Sequence, residues 1–219
     1  MTQPGYRHRV VIFDRSGSMA KIKAGMESGF SEFIQGEVKR LPANGKLTFS
    51  LWDFDDEIRR VHTFTAAEAV AGYRLEPRGM TALYDAEGTA IEQEGRDLAA
   101  MPEEERPEDV TVLVVTDGRD NRSRRYTAAS INEAVTHQQQ KYAWRFILLG
   151  TSYDVAVEAE TTGVSIARSL SYGNSTAGAK GMWASVSSYL TRVPVTSAAS
   201  QAAEAGFNDE ERKRAAGGA

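Results

Sequence analysis

The stretch Arg9-Val10-Val11-Ile12-Phe13-Asp14-Arg15-Ser16-Gly17-Ser18 decides the fold. An unbroken apolar run of β-branched and aromatic residues, with no polar alternation, predicts a strand buried on both faces at the centre of a parallel sheet. It ends in a carboxylate, Asp14, and two hydroxyls follow at once, with Gly17 between them to permit a tight turn. Ile22, Met26, Phe30, Phe33, Ile34, Val38 and Leu41 then recur mostly at spacings of three and four, so one face of a long helix comes next, stopped by Pro42 and Gly45.

The alternation continues outward. Lys46–Phe54 and 57–64 predict two strands around the polar corner Asp55-Asp56, a hairpin at the sheet edge. A short helix at 65–72 leads to the loop Arg78-Gly79-Met80-Thr81, and 83–101 is helical by period although it contains Gly88 and Gly95. The acidic segment 102–109, with two prolines, is a solvated connection. Residues 110–115 form the next strand, ending at Thr116-Asp117-Gly118, and Thr127 caps a helix carrying Ile131, Val135 and Tyr142. A buried strand at 144–149, a helix near 153–161, a weak strand near 164–170 and a helix near 176–191 complete a domain of residues 6–192. The expected architecture is a doubly wound, mostly parallel α/β sheet with helices on both faces and one antiparallel edge strand.

Residues 193–219 read as an Ala/Ser/Gly-rich tail with a short charged helix at 208–216. Asn208 is its cap, Asp209, Glu210 and Glu211 its first turn, and Arg212, Lys213 and Arg214 lie toward its other end, all favourable to the helix dipole. So short a helix does not persist alone in water, so it is expected to form only where Phe207 docks, on this domain or on another subunit. The tail is thus expected either to serve self-association or a larger assembly, its removal leaving the melting transition intact, or to be an unanchored, disordered charged terminus.

Composition excludes several classes of function. With 219 residues, 41% hydrophobic, there is enough chain for one sizeable core. Lys plus Arg number 26 against 30 Asp plus Glu, a net charge of -4 that gives no general reason to bind nucleic acid or an anionic membrane. No apolar run approaches the ~20 residues of a membrane span. The first residues lack a signal-peptide layout, and the expected location is cytoplasmic, with incorporation into a phage particle as a variant. Cysteine is absent, which removes disulfides, thiolate metal sites and cysteine nucleophiles.

Open α/β sheets bind ligands beyond the carboxyl ends of their strands, where strand order reverses. Asp14 and Asp117 end two predicted strands there, and Ser16, Ser18 and Thr81 lie on loops that reach the same edge. Two carboxylates and three hydroxyls form a hard, all-oxygen donor set, suited to Mg²⁺, with Mn²⁺ or Ca²⁺ as alternatives.

Asp14-x-Ser16-x-Ser18 after a hydrophobic strand, followed in order by Thr81 and Asp117, resembles the metal-ion-dependent adhesion site (MIDAS) of von Willebrand factor type A (VWA) domains. In its compactness the chain is similar to the stand-alone versions found in bacteria and their phages. The resemblance implies that the serines and the threonine, or the aspartates through water, hold the ion, and that one coordination position stays open for a partner's Asp or Glu. The implied function is metal-dependent protein binding, as an adhesion, adaptor or assembly module, without catalysis.

Two other functions begin from the same residues. Val11-Ile12-Phe13-Asp14 with the Gly17 turn also resembles the first motif of haloacid-dehalogenase-type phosphatases, with Asp14 as nucleophile and a Mg²⁺-dependent phosphohydrolase as the implied enzyme. That family usually has a second acid two residues on, where this chain has Ser16. A structural subunit of a phage particle or other assembly, its metal site incidental, is the third reading. Neither a P-loop nor a G-x-S-x-G motif occurs, and His8, His62 and His137 are scattered, as ordinary surface or partly buried histidines would be. Arg119, Arg122, Arg124 and Arg125 directly follow Asp117, either as a solvated charge run or as a basic rim that steers an acidic partner toward the ion.

Overall fold

The computed structural model describes residues 2–151, 155–193 and 205–217. Among them lies one six-stranded sheet in the order β3-β2-β1-β4-β5-β6. The strands are β1 (Gln3–Asp14), β2 (Lys46–Phe54), β3 (Ile58–Ala66), β4 (Pro107–Val115), β5 (Arg145–Gly150) and β6 (Ser169–Ser171). Neighbours run parallel except β2 and β3, the antiparallel pair at one edge. The α-helices are α1 (Lys23–Lys39), α2 (Ala67–Val70), α3 (Leu83–Ala100), α4 (Ala128–Tyr142), α5 (Val155–Thr161), α6 (Thr176–Arg192) and α7 (Asp209–Ala215).

The two-residue period of a strand sends alternate side chains to opposite faces, and here both faces are covered. Val11, Phe13, Leu113, Val115, Ile147 and Leu149 share one core with Phe30 and Phe33 of α1 and Met182 and Trp183 of α6. Val10, Ile12, Val112, Val114, Phe146 and Leu148 share the other with Leu83 and Ala90 of α3 and Ile131 and Val135 of α4. Covering both faces is why β1 and β4 contain so little polar residue at their centres. On the first face α1 and α6 close tightly. A Cβ at Gly29 would lie 2.7 Å from Trp183 Cδ1, so only glycine lets the indole pack at 4.9 Å from the Phe30 ring centroid.

Several local expectations differ from what is observed. The strand expected near 164–170 is a 3₁₀ turn, Ile166–Arg168, with a strand of only three residues after it. The helix expected near 153–161 is present as Val155–Thr161, and the first two residues of that expectation lie outside the described residues. His8 is neither on the surface nor partly buried: it is fully enclosed, stacked on Phe64 at 4.2 Å, and hydrogen-bonded to Thr48 Oγ1 (2.9 Å) and Glu94 (3.2 Å). The enclosed histidine is accommodated because its partner Glu94, from α3, also accepts from Trp52 Nε1 and Arg60.

The C-terminal helix α7 docks on this domain. Asn208 caps it in a reciprocal box with Glu211. Phe207 is buried with its ring 4.8 Å from that of Tyr189, and Ala215 is fully enclosed. Ser185 Oγ donates to Glu211 O (2.7 Å), and a Cβ at Gly181 would strike Arg214 O at 2.2 Å, so the α6 and α7 backbones nearly touch. Arg212 donates to the carbonyls of Ser169 and Ala167, closing the β6 edge of the sheet. Residues 194–204, most of the Ala/Ser/Gly-rich stretch, lie outside the described residues.

Because α7 completes the first core, the expectation that the melting transition survives its removal is replaced. Truncation after residue 193 uncovers the Phe207 and Ala215 contacts, a loss of about 3 kcal/mol from apolar burial alone. The melting temperature, followed by circular dichroism, is expected to fall by roughly 6–12 °C for a domain of this size.

Candidate metal site

Strand order reverses between β1 and β4: from β1 the chain first builds outward through β2 and β3, then returns to the other side with β4. Asp14 and Asp117 follow these two neighbouring strands at that point of reversal. Among the described residues no group of three or more His, Cys, Asp or Glu side chains is arranged to hold a metal. A metal at this edge must therefore draw on hydroxyls.

Asp14 is fully buried at the last position of β1. Its Oδ1 accepts from the Ser16 backbone N–H (2.6 Å) and its Oδ2 from Thr116 Oγ1 (2.7 Å). Burial pushes its pKa up to about 6 against those two hydrogen bonds, and the nearby charge of Asp117 adds to the rise. Burial likewise raises Asp117, partly offset by hydrogen bonds from Ser18 and Ser16. Ser18 Oγ donates to Asp117 Oδ1 (2.7 Å) and lies 3.1 Å from Ser16 Oγ, so the hydroxyls bridge the two acids. Asp117 Oδ2 is buried with no hydrogen-bond partner. Neighbouring carboxylates with an orphaned oxygen, beside hard hydroxyl donors, fit a small divalent cation: it supplies the positive charge that the protein leaves out.

The remaining hydroxyl, Thr81, is set by the loop after Asp117. Thr81 N donates to Asn121 Oδ1 (2.9 Å), and Asn121 N donates to Thr81 O (3.0 Å). The same loop caps α3, whose first N–H groups have no partner within the helix. Asp85 N donates to Ser123 Oγ, and in return the Asp85 carboxylate accepts from the backbone N–H groups of Arg124, Arg125 and Tyr126 at 2.8–2.9 Å. Those bonds hold the Asp85 pKa below the usual carboxylate range although its burial opposes this. From the other side Arg15, itself buried, bridges Asp53 (3.2 Å) and Asp55 (2.8 Å), and Asp55 accepts from Arg78 Nε (2.6 Å). The backbone adds Arg78 N to Arg15 O (2.8 Å) and Gly17 N to Gly79 O (3.2 Å). Gly79 has φ +65, and a Cβ there would meet Asp56 Oδ2 at 2.7 Å.

The structure thus gathers Asp14, Ser16, Ser18 and Asp117 by direct contact, whereas Thr81 Oγ1 is placed only relative to the residue after Asp117, 3.9 Å from where a Cβ on Gly118 would lie. Sequence reading missed Thr116, Asn121, Arg15 and Asp55. Of these, Arg15 and Thr116 stood inside recognised motifs, Asp14-x-Ser16-x-Ser18 and Thr116-Asp117-Gly118, without being assigned a role. Arg119, Arg122, Arg124 and Arg125 are exposed on the loop after Asp117, and Arg122 faces Asp56 at 3.3 Å.

The sequence matches no family model and no curated relative. Solved structures do match. Proximal thread matrix protein 1 from the mussel byssus aligns with 84% of this chain and 45% of its own, at 15% identity and TM-score 0.61. A form of that protein with a zinc-occupied MIDAS motif aligns at 14% identity and TM-score 0.61, over 81% of this chain and 46% of its own. The vWF domain of the type V pili tip protein Mfa5 from Porphyromonas gingivalis aligns over 84% of this chain and 95% of its own, at 11% identity and TM-score 0.62. This chain spans under half the length of the mussel protein. A mainly parallel six-stranded sheet with one antiparallel edge, wrapped by helices and superposing on these domains, gives the chain the fold of a VWA domain.

Proposed function

We propose that the chain is a metal-dependent protein-binding module, used in adhesion or assembly, that does no chemistry on its partner. The observation that carries this reading is the orphaned, buried Asp117 Oδ2 beside Asp14, with Ser16 and Ser18 bridging the pair. In it, Ser16, Ser18 and Thr81 hold a Mg²⁺-type ion, with Asp14 and Asp117 behind them directly or through water. A bound divalent ion supplies a Lewis-acidic point charge that neutral hydroxyls leave under-compensated, so a partner's Asp or Glu completes both charge and coordination. The two acids take up the serine hydrogen bonds and fix the hydroxyl lone pairs toward the cleft. The exposed arginines of the loop after Asp117 form the rim that an acidic partner crosses first.

The phosphohydrolase reading loses weight at Ser16. A leaving group needs a proton from an acid at that position, and the residue is a hydroxyl hydrogen-bonding distance from Ser18. No helix of the described residues is long and apolar enough to cross a membrane. A cytoplasmic site of action, or a place within a phage particle, belongs to this proposal.

Two measurements test it. Calorimetric titration with Mg²⁺ or Mn²⁺ is expected to show one site in the wild type and none in Asp14→Ala, with no phosphomonoester turnover in either. Equal heats in both proteins would refute the site. For the rim, reversing Arg119 and Arg122 to glutamate should slow association with an acidic partner about tenfold at low salt while changing dissociation little, and the difference should shrink as salt rises. Association rates indifferent to both changes would return these arginines to ordinary solvated charge.

A further inference from the structure

We propose that the groove between α1, α6 and α7 is a second binding surface, which takes an acidic protein segment independently of the metal. The groove has a volume of about 530 Å³ and is walled by Gly29, Phe33 and Arg40 on one side and by Trp183, Ser187 and Arg192 on the other, with Arg214 entering from α7. Its floor is apolar, and its rim carries three guanidinium groups and one carboxylate, that of Glu32, which is paired with Lys180 at 3.5 Å.

Arginines at helix C-termini have an ordinary explanation, since cations there offset the helix dipole. That accounts for Arg40, just past α1, and for Arg192 and Arg214 in the last turns of α6 and α7. It does not account for how they are held. Each is fixed through one nitrogen: Arg40 Nη2 to Glu37 (2.6 Å), Arg192 Nη2 to Gly206 O (2.7 Å) and Glu211 (2.8 Å), and Arg214 Nη1 to Ser188 Oγ (2.9 Å) and Ala184 O (3.4 Å). The acids that hold the first two are themselves nearly fully buried, and among the described residues the other guanidinium nitrogens make no further hydrogen bond. Guanidinium groups already fixed in place lose less rotamer freedom on binding an anion.

The groove also has a small hollow of suitable chemistry. A Cβ on Gly36 would lie 3.2 Å from Arg40 Nη1 and 3.4 Å from Ser187 Oγ, so a guanidinium and a hydroxyl face one gap that glycine keeps open. Trp183 Nε1, in the groove wall, is buried without a hydrogen-bond partner. An oxyanion with an apolar neighbour suits this arrangement: carboxylates against the arginines, an aromatic or aliphatic side chain over the exposed Ala184. An acidic peptide carries both groups. A nucleic acid would bring many more negative charges to a protein whose own net charge is -4.

The groove lies along the later turns of α1 and α6, away from their first turns beside the cleft between β1 and β4, so its occupancy should not need the ion. The test is fluorescence anisotropy with the full-length chain and a fluorescein-labelled peptide of alternating glutamate and phenylalanine, in chelator. Saturable binding is expected, unchanged in Asp14→Ala, and weakened about fivefold or more in Arg214→Gln and in Arg40→Gln. Arg214 is exposed, so its variant folds even if Arg40→Gln, which strips a partner from buried Glu37, does not. Absence of saturation, equal affinity in Arg214→Gln, loss in Asp14→Ala, or tighter binding of a single-stranded DNA of equal charge would each overturn the proposal.

Discussion

Two neighbouring carboxylates, Asp14 fully buried at the end of β1 and Asp117 half-buried just past β4, constrain everything around them. Taking an ionised carboxylate out of water is costly unless it is paired or hydrogen-bonded, and a second one nearby raises that cost. Asp14 meets it with an N–H and a hydroxyl, and Asp117 with the Ser16–Ser18 pair, yet one oxygen of Asp117 is left over. Tyr172, also fully buried, donates to Thr116 O behind the pair (2.9 Å) and has its own pKa driven up by burial and by both acids. A fold that maintains such a cluster needs rigid walls. The sheet, with both faces covered, supplies them.

The loops are then held to that wall by charge as well as by backbone. Arg15 lies inside the fold between Asp53 and Asp55, and through Asp55 and Arg78 it fastens the turn that precedes Thr81. On the other flank Asp85 gathers three backbone N–H groups and Asn121 clasps Thr81 by both its N–H and its carbonyl. The hydroxyl donors are therefore positioned before any ligand arrives, the condition under which weak neutral donors select a cation.

The architecture was legible in the sequence wherever burial leaves a period. Val10 to Phe13 announced a central strand, and the stripe from Ile22 to Leu41 announced α1, because both patterns are local consequences of which side faces the core. The site was legible in part, since Asp14, Ser16 and Ser18 lie on one turn. Asn121 and Asp55 were not, because their roles depend on loops distant in sequence meeting at one edge. His8 misled for a related reason: its burial is compensated by Glu94, more than eighty residues away. That α7 docks through Phe207 was expected, but its place on this domain and not on another subunit was hidden, since the signal is a backbone approach at Gly181 that no periodicity encodes.

The central claim is that Asp14, Ser16, Ser18, Thr81 and Asp117 form one cation seat, and anomalous diffraction from crystals grown with Mn²⁺ tests it most directly. A single strong peak in the cleft between β1 and β4, within about 2.3 Å of the Ser16 and Ser18 hydroxyls, is the result this account predicts. An empty cleft at saturating Mn²⁺, or a peak held by other residues, would contradict it.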